Sequence, residues 1–371
     1  MNHETLMAEA LREAERGLYT AQPNPRVGCV LAKDGRVIAR GFHRQTGQGH
    51  AEANALASAG NSAQGATAYV TLEPCSFVGR TPACAASLIK AGVKTVVYAM
   101  TDPHPGNRGR GLEMLVAAGI EVIGPVLEAS AQRLNPGHVK RYATGLPYVR
   151  LKLAMSLDGK TALANGQSQW ITGTAARQDV QRLRARSSAI VTGVDTVIAD
   201  DPALTVRAAD LGIEFAELAA SIPRPIVVMD SNLRIPLTAK LLKLPQSRVA
   251  CGSDRVATAP ANLPVLGLER RADGRLDTHD LLVKLGAMDC NEVLFECGAT
   301  LAGTLIQSGL LDEIVMYIAP RMMGQDARSL LNIPTIDTMD DLITLNMLDV
   351  RRVGQDLRLT IQPISSSVED D

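Results

Sequence analysis

The chain has 371 residues, which predicts two domains. Charged residues make up 21% and hydrophobic ones 46%, the composition of an ordinary soluble globular protein. With 38 basic and 39 acidic side chains the net charge is −1, which argues against a nucleic-acid partner, and no apolar run reaches the ~18 residues that would predict a membrane span.

Residues 4–18 predict a helix with Leu6, Met7, Ala10, Leu11, Ala14 and Leu18 on one face. This opening stretch mixes Glu with Arg and does not read as a secretion signal. Pro23-Asn24-Pro25 breaks the helix. Apolar runs at 27–31 and 36–39 flank Lys33-Asp34-Gly35 and predict a hairpin. The Ala-rich stretch 50–59 predicts a helix with His50 in its first turn. A strand at 67–72 ends at Pro74-Cys75, and a helix at 81–91, a strand at 94–100 and a helix at 111–118 follow. On this reading His50 and the Cys75/Cys84 pair come from the starts of two neighbouring helices, whose partial positive charge helps hold thiolates ionised. Residues 135–147 hold Pro136, Gly137, Gly145 and Pro147 with little periodicity, so the domain boundary is placed there.

The second half predicts strands at 148–154, 189–192, 224–230, 248–251, 292–296 and 313–320, with helices at 175–185, 279–285 and 301–308. Strands alternating with helices in both halves predict an α/β fold. The assignment is a first domain over 1–145, a second over 146–365 and a flexible tail over 366–371. Cys29, Cys75, Cys84, Cys251, Cys290 and Cys297 are scattered, which predicts a reducing cytoplasm and no disulfide framework.

His50, Glu52, Cys75 and Cys84 carry the chemistry. One imidazole and two thiolates supply three of the four corners a zinc ion wants, and an open fourth corner marks a catalytic site. Singly, each has a blander role: a free cysteine is most often a small buried hydrophobe, and His50 could simply end a helix. Together with Glu52 and Pro74 they form the His-x-Glu … Pro-Cys … Cys pattern of zinc-dependent deaminases of amino-pyrimidines and purines. Zinc lowers the pKa of a bound water toward about 7. Glu52 is then the proton shuttle to the ring nitrogen and the leaving ammonia. Two points stay open: Cys29 or His43 could close the fourth corner of a structural site, and eight residues separate Cys75 from Cys84 where two are usual.

In the second half no Gly-x-Gly-x-x-Gly follows the early strands, so a Rossmann NAD domain is not indicated. Gly298 precedes a helix start whose N–H groups suit phosphate, and it equally suits a turn. Trp170 suits a core anchor as well as a binding surface.

The motifs Pro23-Asn24-Pro25-x-Val27-Gly28-Cys29-Val30, Gly49-His50-Ala51-Glu52, Thr71-Leu72-Glu73-Pro74-Cys75-Ser76, Gly79-Arg80-Thr81-Pro82-x-Cys84 and Asp102-Pro103 resemble one family. So do Ser156-Leu157-Asp158-Gly159-Lys160, Ser168-Gln169-Trp170-Ile171-Thr172 and Ala199-Asp200-Asp201-Pro202-x-Leu204-Thr205-x-Arg207. Taken together, from about residue 4 to 363, the chain resembles the bacterial bifunctional riboflavin-biosynthesis deaminase/reductase family. The resemblance implies a cytidine-deaminase-like three-layer α/β/α domain followed by a dihydrofolate-reductase-like α/β domain. It implies hydrolytic deamination of 2,5-diamino-6-(5-phosphoribosylamino)pyrimidin-4(3H)-one, then NADPH reduction of the ribosyl group of 5-amino-6-(5-phosphoribosylamino)uracil to ribityl. It accounts for the long zinc loop and implies a homo-oligomer, a dimer or tetramer.

Residue by residue, the resemblance makes His50, Cys75 and Cys84 zinc ligands and Glu52 the shuttle, with Asn24, His43 and Arg80 at the deaminase substrate. It places Ala154, Trp170, Thr196, Asp200, Ser231, Gly298, Ala299, Thr300, Leu301, Ala302, Gly303 and Thr304 around NADPH. Lys152, Ser168, Arg184, Leu204, Arg207 and Glu296 fall on the sugar-phosphate side, with Arg184 and Arg207 as phosphate clamps. One position departs: the family carries His after Pro-Cys-Ser or Pro-Cys-Asn, and this chain carries Phe77. Phenylalanine can stack but cannot donate a hydrogen bond, so Phe77→His is expected to raise deaminase kcat/KM. The rival readings are a nucleoside or tRNA-base deaminase with an inactive reductase-like domain, and a zinc-stabilised binding module without turnover.

Overall fold

The computed structural model describes residues 2–77 and 82–364. The chain divides into two compact units, Met1–Leu146 and Pro147–Asp371.

The first unit runs α1 (His3–Glu15), β1 (Gly28–Lys33), β2 (Arg36–Phe42), α2 (Ala51–Ala59), β3 (Thr67–Val70), α3 (Cys84–Lys90), β4 (Thr95–Tyr98), α4 (Arg110–Ala117), β5 (Glu121–Ile123), α5 (Glu128–Leu134) and α6 (Pro136–Thr144). Its sheet order is β2-β1-β3-β4-β5, antiparallel around β1 and parallel from β3 onward. The side-chain alternation of β1 sorts the core. Cys29 and Leu31 pack with Ala51 and Ala55 of α2, Ala85 and Leu88 of α3 and Leu115 of α4. Val30 and Ala32 pack with Leu6, Met7, Ala10 and Leu11 of α1 and Ala131 of α5. Helices therefore cover both faces, giving three layers. The expected hairpin turn is present, with Asp34 and Gly35 both at positive φ (50° and 71°).

Residues 135–147 are not the irregular stretch that their prolines and glycines suggested. Pro136 opens α6, where a missing N–H costs nothing, and Gly145 ends it at φ 79°. Both residues punctuate a helix instead of preventing one.

The second unit contains β6 (Tyr148–Ser156), β7 (Lys160–Ala162), α7 (Thr174–Arg186), β8 (Ala189–Gly193), α8 (Val194–Asp200), α9 (Ala216–Ser221), β9 (Ile226–Met229), β10 (Ser247–Gly252), β11 (Val265–Leu268), α10 (Thr278–Ala287), β12 (Glu292–Glu296), α11 (Ala299–Gln307), β13 (Glu313–Ala319), β14 (Arg328–Ser329), β15 (Leu345–Val353) and β16 (Asp356–Pro363). Nine strands form one sheet, in the order β11-β10-β9-β8-β12-β6-β13-β16-β15. β11 to β13 run parallel; β16 and β15 add antiparallel. Parallel strands are buried on both faces, which is why Ile226-Val227-Val228 and Val293-Leu294-Phe295 are continuous apolar runs. The same strands bring Lys152 and Glu296 side by side, in register on β6 and β12. No helix among the described residues is long and apolar enough to cross a membrane.

Candidate functional site

His50 caps α2, so Glu52 lies in that helix's first turn, and Cys84 is the first residue of α3. The His50 Nδ1 atom stands 3.2 Å from the Cys84 sulfur and 3.6 Å from the Cys75 sulfur. The three ligand atoms lie within 4.8 Å of one another, and among the described residues these three side chains form the group able to hold a metal. One imidazole and two sulfurs at that spacing suit zinc. Cys75 departs from expectation: it lies in the loop after β3, not on a helix. The α3 start still acts on it, because the Cys84 N–H donates to the Cys75 sulfur at 3.2 Å.

That geometry places negative charge on Cys75. Its thiol is drawn well below the ordinary thiol range, first by the hydrogen bond from the Cys84 thiol and, against burial, by His50. Cys84 is pushed up by the same bond and by burial. Glu52 is buried, at 3% exposure. Its carboxyl is pushed up to about 7, first by burial and then by the Cys75 charge. A divalent cation on the cluster opposes that rise.

Neither candidate closes a fourth corner. Cys29 is fully buried in the apolar core. His43 has both ring nitrogens engaged. Its Nδ1 faces the Gly49 carbonyl at 3.2 Å and must donate, so its Nε2 accepts from the Asn24 amide at 3.1 Å. Burial, with His50 nearby, lowers His43 to about 4 and keeps it neutral at pH 7. Its ring meets His50 edge-on, with centroids 5.3 Å apart. Asn24, His43 and His50 thus form one contiguous wall; Arg80 lies outside the described residues.

A second layer, silent in the sequence, holds the Cys75 loop. The Glu73 carboxylate accepts the backbone N–H groups of Asp102, Gly109 and Gly111 at 2.9–3.1 Å. Buried Asn107 accepts from the Ser76 N–H at 2.8 Å and the Ser76 hydroxyl at 2.9 Å, and donates to Asp102. His138 Nε2 completes the chain on Asp102 at 3.0 Å. Glu73 and Asp102 stand inside recognised motifs, but no spacing marks Asn107 or His138. Gly111 is part of this fit: a Cβ there would stand 1.9 Å from the Pro74 carbonyl oxygen. Gly111→Ala is therefore expected to displace Pro74-Cys75 and weaken zinc affinity about 10–100-fold, the usual scale for disturbing a ligand's support. A competitive chelator titration reads this, and an unchanged midpoint would remove Gly111 from the account.

In the second unit, Arg184 grips Glu296 bidentately, at 2.5 and 2.9 Å, and also donates to the Thr205 carbonyl. Arg184 is therefore committed to a carboxylate, not a free phosphate clamp. Half-buried Lys152 adjoins the pair. Burial lowers its pKa and Arg184 adds to that, against the pull of Glu296. Arg207 is directed elsewhere, its guanidinium on Asp210 and its N–H on Gln181. Leu204 sits at φ 53° with its side chain in a core cluster with Ile190 and Ile226.

Ser168 and Gln169 both donate to Asp200, each at 3.3 Å. Trp170 is not a core anchor: it is 62% exposed, with Arg177 over its ring at 4.8 Å and Arg321 on its carbonyl. Trp170, Arg177, Arg321 and Gly173 line one cavity. Gly298 caps α11 beside the Thr196 hydroxyl. Ala299, Thr300 and Leu301 form the accessible start of α11, whereas Ala302 and Gly303 are buried and Thr304 is half-buried. A Cβ at Gly303 would stand 2.1 Å from the Asn332 carbonyl oxygen, so that glycine serves packing. Asn332, absent from the sequence reading, also binds the Thr300 hydroxyl at 2.9 Å. Ser231 accepts from Arg270 through its carbonyl, and Ala154 is half-buried on β6.

Comparisons with known proteins agree with both units. Residues 1–100 match the cytidine and deoxycytidylate deaminase zinc-binding region, and residues 147–359 match the RibD C-terminal domain. The chain is 45% identical to riboflavin biosynthesis protein RibD of Escherichia coli, covering 97% of this chain and 99% of that protein. It is 44% identical to the protein of the same description from Haemophilus influenzae, covering 96% of each. Acinetobacter baumannii RibD superposes with a TM-score of 0.89 at 45% identity, over 98% of this chain and 99% of that one. A diaminohydroxyphosphoribosylaminopyrimidine deaminase/5-amino-6-(5-phosphoribosylamino)uracil reductase from Thermotoga maritima superposes at 0.84 with 30% identity, over 98% and 99% of the two chains. The likeness runs the whole length of the chain, over both units, and the chain belongs to the RibD family of bifunctional riboflavin-biosynthesis enzymes, a zinc-binding deaminase joined to a reductase.

Proposed function

We propose that the first domain, residues 1–145, deaminates 2,5-diamino-6-(5-phosphoribosylamino)pyrimidin-4(3H)-one. The second, residues 146–365, reduces the ribosyl group of the resulting aminouracil to ribityl with NADPH. The observation that carries this reading is the convergence of His50, Cys75, Cys84 and buried Glu52 in one small volume. Bound zinc supplies the Lewis acidity that lets water attack at neutral pH. Glu52 takes the water proton, passes it to the ring nitrogen beside the carbon under attack, and assists departure of ammonia. Neutral His43 and its partner Asn24 orient the pyrimidine edge, and Arg80 serves its anionic arm.

In the second domain, Gly298, Ala299, Thr300 and Leu301 with Thr196 hold the NADPH phosphates, since helix-start N–H groups favour anions. Trp170, Asp200, Ser231 and Ala154 complete that wall, while Ala302, Gly303 and Thr304 shape the helix behind it. NADPH brings the hydride. Lys152, held by Glu296 and with a depressed pKa, is placed to give the ring-opened sugar its proton. Ser168 and Arg207 bound the sugar-phosphate side, and Leu204 supports it from the core.

The test supplies zinc, the pyrimidine substrate and NADPH, and follows ammonia and NADPH absorbance together. Ammonia should lead, and NADPH should be consumed one for one. Ammonia release from cytidine or RNA but not from the phosphoribosyl-pyrimidine overturns the reading.

The protein is also proposed to act as a homo-oligomer joined through β15. Leu345, Met347, Leu348 and Val350 on that edge strand are each 42–55% exposed. An open edge carrying apolar side chains is a pairing surface. The Met347→Glu/Val350→Glu variant is expected to run as a monomer in light scattering where the parent is larger; equal masses count against this interface.

A further inference from the structure

Phe77 is 47% exposed, two residues beyond the ligand Cys75. Asn107 pins the intervening Ser76 through both its N–H and its hydroxyl, which fixes the backbone that carries Phe77 away from the ligand loop. Against it lies the imidazole of His104, with ring centroids 6.0 Å apart. Tyr142 backs His104 edge-on at 4.7 Å. The Gly106 N–H donates to His104 Nδ1 at 2.9 Å. A backbone amide only donates, so Nδ1 carries the lone pair and Nε2 carries the proton. No described residue bonds that Nε2. The result is a half-exposed, pre-oriented N–H donor on His104, beside the Phe77 ring that follows the metal ligand Cys75. Beyond the Asp102 carboxylate that accepts the His104 backbone N–H, its neighbours are cationic: Arg108 on the same loop and Arg110 at the start of α4 are exposed, and Arg141 donates to the Tyr142 hydroxyl at 2.9 Å.

We propose that His104 is a specificity-determining residue of the deaminase, its Nε2–H donating to the 5′-phosphate of the substrate while the Phe77 ring packs against the ribose. This rests on the deaminase reading above. His104 then supplies, from the facing loop, the donor that Phe77 lacks. The expectation for Phe77→His changes accordingly: alone it gains little, because the role is filled.

The test uses the full-length, zinc-loaded enzyme and measures ammonia release from the phosphorylated pyrimidine and from its dephosphorylated riboside. His104→Ala should raise KM for the phosphorylated substrate about tenfold, as for a lost hydrogen bond to a charged group, with kcat and zinc stoichiometry held. The riboside should not distinguish parent from variant. Adding Phe77→His to His104→Ala should recover most of the lost KM, while Phe77→His alone changes kcat/KM by less than about twofold. An unchanged KM in His104→Ala, or an equal rise with both substrates, overturns the proposal. A parent enzyme that releases no ammonia from either compound instead overturns the deaminase reading itself, so the two failures are distinguishable.

Discussion

Glu52→Gln should keep its zinc and lose ammonia release by about 10²–10⁴-fold, while NADPH oxidation on separately supplied aminouracil substrate continues unchanged. The substitution keeps size and removes only the ability to accept and return a proton. His50, Cys75 and Cys84 remain as ligands, since their mutual spacing is set by α2, the Cys75 loop and the start of α3. Folding should not suffer, because burial already disfavours the ionised carboxylate. The two activities lie in different domains, so reductase turnover reports that the rest of the chain is intact. Metal analysis with paired ammonia and NADPH assays decides the matter. Zinc lost together with activity would make Glu52 a structural prop, and activity retained in full would place the proton shuttle elsewhere. A zinc-stabilised module without turnover predicts no ammonia from the parent either.

The metal chemistry was legible because it depends on residue identity: few side chains bind zinc, and His-x-Glu with Pro-Cys leaves little choice. Its supports were not. Asn107 and His138 act through folded proximity, 31 residues from Ser76 and 36 from Asp102, and nothing in their local sequence announces it. Strand and helix placement followed periodicity where elements are buried, as in β12 and α7. It failed where the signal is ambiguous. Residues 135–147 show little periodicity because Pro136 and Gly145 punctuate a short helix, Pro136 as the first residue of α6 and Gly145 as its C-cap. The β15–β16 hairpin was missed because eight of the nine β15 residues are exposed, leaving no one-sided pattern. The turn itself was readable in hindsight: Val353 pairs with Asp356 across Gly354 at φ 64°, a two-residue connection with glycine first. Leu204 and Gly303 show the converse limit, since the sites that the resemblance implied for them concealed packing roles.

The second large effect is expected at Glu296. Its carboxylate receives both prongs of Arg184 and neighbours Lys152, so one buried anion serves two cations. Despite burial, which raises it, Arg184 and Lys152 hold the Glu296 pKa below the ordinary carboxylate value. Glu296→Gln leaves two positive side chains facing each other without a counter-charge, and breaking such a pair costs about 3–5 kcal/mol. The reductase domain should melt roughly 10 °C lower. NADPH oxidation should fall by at least about 100-fold, because Lys152 loses the carboxylate that orients it. Ammonia release should stay at the parent rate. Adding Arg184→Gln removes one unpaired cation, so the double variant should regain most of the melting temperature without regaining reduction. That split separates the two roles of the carboxylate: stability follows the charge count, whereas turnover follows the position of Lys152. Full reductase activity in the destabilised single variant would reduce the Arg184–Glu296 pair to scaffolding and move the sugar's proton source away from Lys152.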